Sequence, residues 1–108
     1  MIQNSVQLIG YVGIDPIIKL CKNGSKKATL KVATHYPLKN QVPGQKYGTV
    51  WHAVVAWNAH AEYAERSFLK GSHILVNGSL VYRSFTGTKG NTRYVTEIKA
   101  HNLINLDR

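Results

Sequence analysis

One cysteine, five acidic residues, three prolines and no long apolar run set the first limits on this chain of 108 residues. Cys21 alone can form no internal disulfide and no cysteine-rich zinc site. The apolar stretches fall well short of the roughly 20 residues a membrane-crossing helix needs. The start, Met1-Ile2-Gln3-Asn4-Ser5, lacks the basic opening and apolar stretch of a secretory signal. It also lacks the arginine-rich amphipathic character of an organelle transit peptide. The expectation is a soluble, cytoplasmic chain with no membrane partner. Internal repeats, low-complexity tracts and Ser/Gly-rich linkers are missing too. Residues 1–106 therefore read as one domain, with 107–108 as its end. A chain of this size hides about 60–70% of its extended surface, enough for a core without cross-links. Its 44% hydrophobic content argues against wholesale disorder.

The scarcity of acidic residues carries the first functional information. Fourteen Lys and Arg leave a formal net charge of +9. Between Pro16 and Ala61 no acidic residue occurs, while Lys19, Lys22, Lys26, Lys27, Lys31, Lys39 and Lys46 all do. Such a field suits a polyanion: nucleic acid, an anionic membrane surface or an acidic protein. A solvated basic face that only aids solubility is the plain alternative.

Catalytic patterns are equally sparse. His60-Ala61-Glu62 fits half of a zinc-deaminase signature, but the P-C-x-x-C half is absent. His35, His52, His60, His73 and His101 show no H-E-x-x-H spacing. Asp15, Glu62, Glu65, Glu97 and Asp107 are scattered, and Glu62 with Glu65 fits a solvated helix face. There is no G-x-S-x-G and no P-loop. Gly10-Tyr11-Val12-Gly13 has the form of a KH-domain loop, but it lies in an apolar strand rather than between helices. The residues point to no enzyme, no metal and no cofactor.

The dominant period is two, that of strands. Val6 to Val12 places Val6, Leu8, Gly10 and Val12 on one face and Gln7, Ile9 and Tyr11 on the other. Asp15-Pro16 ends this strand, Ile17 to Cys21 can extend it briefly, and Asn23-Gly24 marks a turn. A second strand runs Ala28 to Thr34 with Lys31 outward. Residues 35–48, with Pro37, Pro43, Gly44 and Gly48, read as a long loop, a feature usually functional in a small domain. The third strand is Thr49 to Trp57. Asn58 to Lys70 reads as a helix with Asn58 as N-cap, Gly71 at the stop position and Ala61, Ala64 and Phe68 on one face. A fourth strand from Ser72 to about Phe85, bent at Gly78, leads through Gly87–Asn91 to a fifth from Arg93 to about His101. Leu103, Ile104 and Leu106 form an apolar end. This is an all-β order: a five-stranded antiparallel Greek-key barrel of the oligonucleotide-binding type, the OB-fold, with one helix between strands three and four.

Trp51 and Trp57 lie six apart on one strand, so they share a face roughly 20 Å apart. Both faces of that strand are apolar, which leaves two readings, buried rings or outward ones. An interior that must also take Phe68, Tyr82 and Tyr94 favours outward tryptophans, whose flat rings can stack unpaired bases. Arg83 and Phe85 share the more polar face of the fourth strand, a cation beside a ring. Lys31, Lys39, Lys46, Lys89 and Arg93 are the candidate phosphate contacts, and His52 reads as a hydrogen-bonded core or interface histidine. Ile9, Tyr11 and Leu75 project from outer faces, where a symmetric contact between copies would bury them.

Four blocks then carry a resemblance. They are Leu8-Ile9-Gly10-x-Val12-Gly13-x-Asp15-Pro16; Trp51-His52-x-Val54-Val55; Ala61-Glu62-x-x-Glu65 through Lys70-Gly71-Ser72; and Arg93-Tyr94-Val95-Thr96-Glu97-Ile98. In this order, collinear from Asn4 to about Leu106, they resemble the bacterial single-stranded DNA-binding protein family. The resemblance implies an OB-fold that coats single-stranded DNA in replication, repair and recombination, nucleoid-associated and assembled as a homotetramer. It places Trp51, Trp57 and Phe85 on stacking positions, and Tyr36 beside Leu38, where a further aromatic is usual. Ala53 and Val81 stand where basic residues are common, and Ser5 where Lys is frequent. The family's acidic tail has no counterpart before Arg108, so recruitment of other replication proteins through it is not expected. Two other readings stand beside this one: an OB module of a primosome or RNA-handling complex dominated by protein contacts, and a small nucleic-acid enzyme.

Overall fold

The computed structural model describes residues 3–42 and 44–107, with backbone alone at 39–42 and 45. The strands are β1 (Val6–Val12), β2 (Ile17–Leu20), β3 (Lys26–Val42), β4 (Gln45–Trp57), β5 (His73–Thr86) and β6 (Thr92–Asn105), with helix α1 (Ala59–Ser67) between β4 and β5. They form one sheet in the order β1-β5-β6-β4-β3-β2, and a further β1–β3 pairing closes five of them into a barrel. Closure removes the free edges that an open sheet would expose. All pairings are antiparallel except β4–β6, which runs parallel at Val54–Ile98 and Val55–Lys99. The five-strand barrel with its single helix is the expected OB architecture, and the short β2 adds a lip on β3.

The alternation read from the sequence sets what lies inside. Val12, Leu30, Val32, Val54, Ile74, Val76 and Ile98 fill the barrel, while Ala61, Ala64 and Phe68 close one end. The helical face was therefore correctly read, but the helix is shorter than the expected span to Lys70. It stops at Ser67 because Phe68 turns to extended backbone (φ −111°, ψ 139°) to enter the core, its N–H still donating to the Ala64 carbonyl. Gly71, with φ 92°, serves the turn beyond rather than the helix stop. Asn58 does not cap: its side-chain oxygen accepts from the Lys26 amide, tying the helix entrance to the start of β3.

Two β-ribbons project from the barrel, and they explain a radius of gyration of 15.7 Å, above the roughly 13 Å of a compact domain this long. The first corrects the reading of 35–48 as a loop. His35–Thr49, Tyr36–Gly48 and Pro37–Tyr47 pair across β3 and β4, and Pro37 stands where the register shifts, a place that tolerates a residue with no amide donor. The second ribbon is the outer half of β5 and β6. Pairing of β1 with β5 ends at Val6–Gly78, next to a register shift at Asn77/Gly78, while Phe85–Arg93 and Thr86–Thr92 still pair beyond it. The burial alternation of β5 stops at the same point. The apolar chain end is also more regular than expected. Leu103 and Ile104 belong to the last part of β6, with Leu103 in the core and Ile104 outside, and Leu106 follows it with its N–H donating to the His73 carbonyl.

Candidate nucleic-acid interface

Directly paired residues of antiparallel strands share a face, and alternate residues along a strand do too. The outer face of β3 and β4 therefore carries Lys27 opposite Trp57, Thr29 opposite Val55, Lys31 opposite Ala53 and Ala33 opposite Trp51. Trp51 is 59% exposed, and its ring lies across Gly13 so closely that any Cβ there would collide with it. Trp57 is half-buried, with the Lys27 ammonium 5.7 Å from its ring centroid. Inward positions of this strand belong to Val54 and Ala56. Tyr82 and Tyr94, expected to crowd the interior, are 72% and 79% exposed. Crowding is thus not what turns the tryptophans outward; the small inward residues that meet the barrel interior are.

On β5 and β6 the continuous outer face carries Ser79 opposite Lys99, Val81 opposite Glu97, Arg83 opposite Val95 and Phe85 opposite Arg93. Phe85, Lys89 and Arg93 come together around a hollow of about 320 Å³ at the ribbon tip, so this expected group is assembled. Arg83 is not a free cation: its Nε and Nη2 donate to the two Glu97 carboxylate oxygens at 3.2 and 3.1 Å. Those bonds raise its pKa further above the ordinary value.

Tyr36 lies on the reverse face of the first ribbon. It pairs with Gly48, which alternates with Trp51, and its ring crosses the space a Gly48 side chain would need. Tyr47, unnamed by the sequence reading, is 63% exposed on the Trp51 side. Lys46 is exposed on the Tyr36 side of that ribbon, and the Lys39 side chain lies outside the described residues. Lys31 is exposed on the Trp51 side. Lys27 and Lys99 were also missed. Both follow from the period-two rule, Lys27 four residues before Lys31 and Lys99 six after Arg93, once the strands are given their full length.

His52 donates to or accepts from the Thr34 hydroxyl at 2.8 Å, as a satisfied histidine should. Burial lowers its pKa. Among the described residues no cluster of metal-ligating side chains occurs, and no helix is long and apolar enough to cross a membrane. Ile9, Leu75 and Ile104 form a transverse row on the outer face of β1, β5 and β6. Tyr11 continues it, stacked on His73 at 4.7 Å.

The closed five-stranded barrel with α1 between β4 and β5 places the chain in the OB class. Residues 3–106 match the model of the single-strand binding protein family, and the chain belongs to that family. A single-stranded DNA-binding protein 1 of Xylella fastidiosa is 42% identical over 98 residues, 90% of this chain and 72% of that protein. A single-stranded DNA-binding protein of Bacteroides thetaiotaomicron is 39% identical over 105 residues, 93% of this chain and 63% of that one. A solved Plasmodium falciparum SSB complex with ssDNA superposes with a TM-score of 0.86 at 30% identity, covering 99% of this chain and 97% of that one.

Proposed function

We propose that this protein coats single-stranded DNA without cutting it and largely without regard to sequence, in replication, repair or recombination, as a cytoplasmic, nucleoid-associated protein. The observation that carries the reading is the shared outer face. Trp51 and Trp57 stand on it in line with Lys27, Lys31 and Lys99, and Phe85 with Arg93 and Lys89 continues it onto the second ribbon. Rings there give every base a stacking surface, and the cations track the phosphates. Tyr47 extends the aromatic track on the first ribbon. Family membership and the likeness to a structure determined with ssDNA support the same reading. Titration with oligothymidine should quench tryptophan fluorescence. The logarithm of affinity should fall linearly with that of salt, with a slope of about −0.7 per phosphate neutralised. Absence of quenching, or equal affinity for duplex, would refute the reading.

The same protein is proposed to act as a homo-oligomer, a tetramer by analogy with its family. Ile9 and Ile104 are 52% and 49% exposed, and with Leu75 between them they leave an apolar row on water unless another copy covers it. Ile9→Glu should shift the light-scattering mass toward 12.1 kDa, the mass of one chain. A wild-type protein already at that mass at micromolar concentration would contradict the proposal.

A further inference from the structure

The outer face holds one carboxylate in the middle of its cations. Glu97 points outward between Val95 and Lys99 positions of β6, opposite Val81, and only 12% of its side chain is exposed. Arg83 is half exposed and engages it with two parallel hydrogen bonds. A guanidinium held this way is fixed in a plane, since both donors must meet both oxygens. Its charge is cancelled by its partner. Releasing it toward a phosphate would leave the carboxylate nearly buried and unpaired, the costlier state.

This pair lines a groove of about 130 Å³ together with Val55, Val81 and Trp57. Phe85 follows Arg83 two residues along the same strand face, roughly 7 Å farther. Arg83 thus shares a groove with Trp57 and a strand face with Phe85 on the proposed DNA track. Lys27 and Lys99 border the groove as charged groups outside this ion pair.

We propose that the Arg83–Glu97 pair is a charge-neutral stacking plate, a nucleobase subsite between Trp57 and Phe85, and that phosphates are left to Lys27, Lys99 and the other free cations. The inference rests on the single-strand-binding reading above. A planar guanidinium stacks on π-faces in a way an ammonium does not. Glu97 is here a positioning residue: it fixes the plane and withholds Arg83 from the phosphates.

Two variants test this against oligothymidine and against an abasic strand of equal length, with the melting curve as a folding control. Glu97→Gln keeps the shape and frees one positive charge, so its salt slope should steepen by about 0.7. The paired change Arg83→Ala with Glu97→Ala keeps the net charge and removes the plate. Its slope should stay that of the wild type, while affinity for oligothymidine falls about fivefold or more and affinity for the abasic strand does not change. A slope shallower by about 0.7 in the paired variant would show that Arg83 contacts a phosphate and would overturn the proposal. So would an unchanged slope in Glu97→Gln, which alone decides the matter if the paired variant fails to fold. Failure of the wild-type protein to bind oligothymidine would instead sink the single-strand-binding reading itself.

Discussion

Trp51→Ala and Trp57→Ala should each weaken binding of oligothymidine by about 1–3 kcal/mol, roughly 5- to 150-fold. Trp51 lies largely in solvent over Gly13, so removing its ring opens no cavity. Its variant should unfold within about 0.5 kcal/mol of the wild type, as surface changes usually do. Trp57 is half-buried and holds the Lys27 ammonium over its ring, so its variant should lose some stability as well as affinity. The measurement is a fluorescence or anisotropy titration in parallel with urea unfolding of each variant. Variants that unfold easily yet retain normal affinity when folded would show that the rings serve packing rather than stacking. Because the two positions lie roughly 20 Å apart along β4, their losses should add for long strands. On strands too short to reach both, one of the two substitutions should have little effect.

The parts of this fold that were legible are those where burial repeats with the strand period. Val6 to Val12, with Ile9 and Tyr11 outside, kept its two faces because one of them meets a core. The helix face Ala61, Ala64 and Phe68 was readable for the same reason. The first ribbon was not, because from Thr34 to Leu38 and from Lys46 to Val50 neither face is buried and alternation carries no hydrophobic contrast. Only cross-strand partners such as Tyr36–Gly48 define strands there, and they leave no mark in a window of sequence, whereas the second ribbon was legible because its turn at Gly87–Asn91 separates Phe85 from Arg93. The helix stop was missed because one side chain, Phe68, gains more by entering the core than the backbone gains by another helical turn. At the candidate interface, Trp51, Trp57, Lys31 and the Phe85, Lys89, Arg93 group were readable from spacing and turn position. The Arg83–Glu97 pairing was not. It depends on the register that places Glu97 opposite Val81, one step from Arg83.

Phe68→Ala should have the largest effect on stability, about 3–5 kcal/mol. Phe68 is 1% exposed and plugs the helix end of the barrel. The Tyr63 ring meets it edge-on at 5.5 Å and 84°, while the Tyr63 hydroxyl accepts from the Asn105 amide at the end of β6. Deleting the Phe68 ring therefore removes buried area and also loosens the support of a second ring that holds β6. The surrounding shell, Ala61, Ala64 and barrel strands in hydrogen-bonded register, has little freedom to collapse into the space, which puts the cost in the upper part of the range for large-to-small changes. Against a typical total of about 5–15 kcal/mol, such a loss consumes a large share of the stability. In urea the midpoint should fall with little change in slope. The part of the variant that remains folded at low temperature should bind oligothymidine as the wild type does, because Phe68 lies in the core and the proposed stacking rings stand on the outer face. A stability change under about 1 kcal/mol would show that the barrel end repacks freely, contrary to the close packing found there.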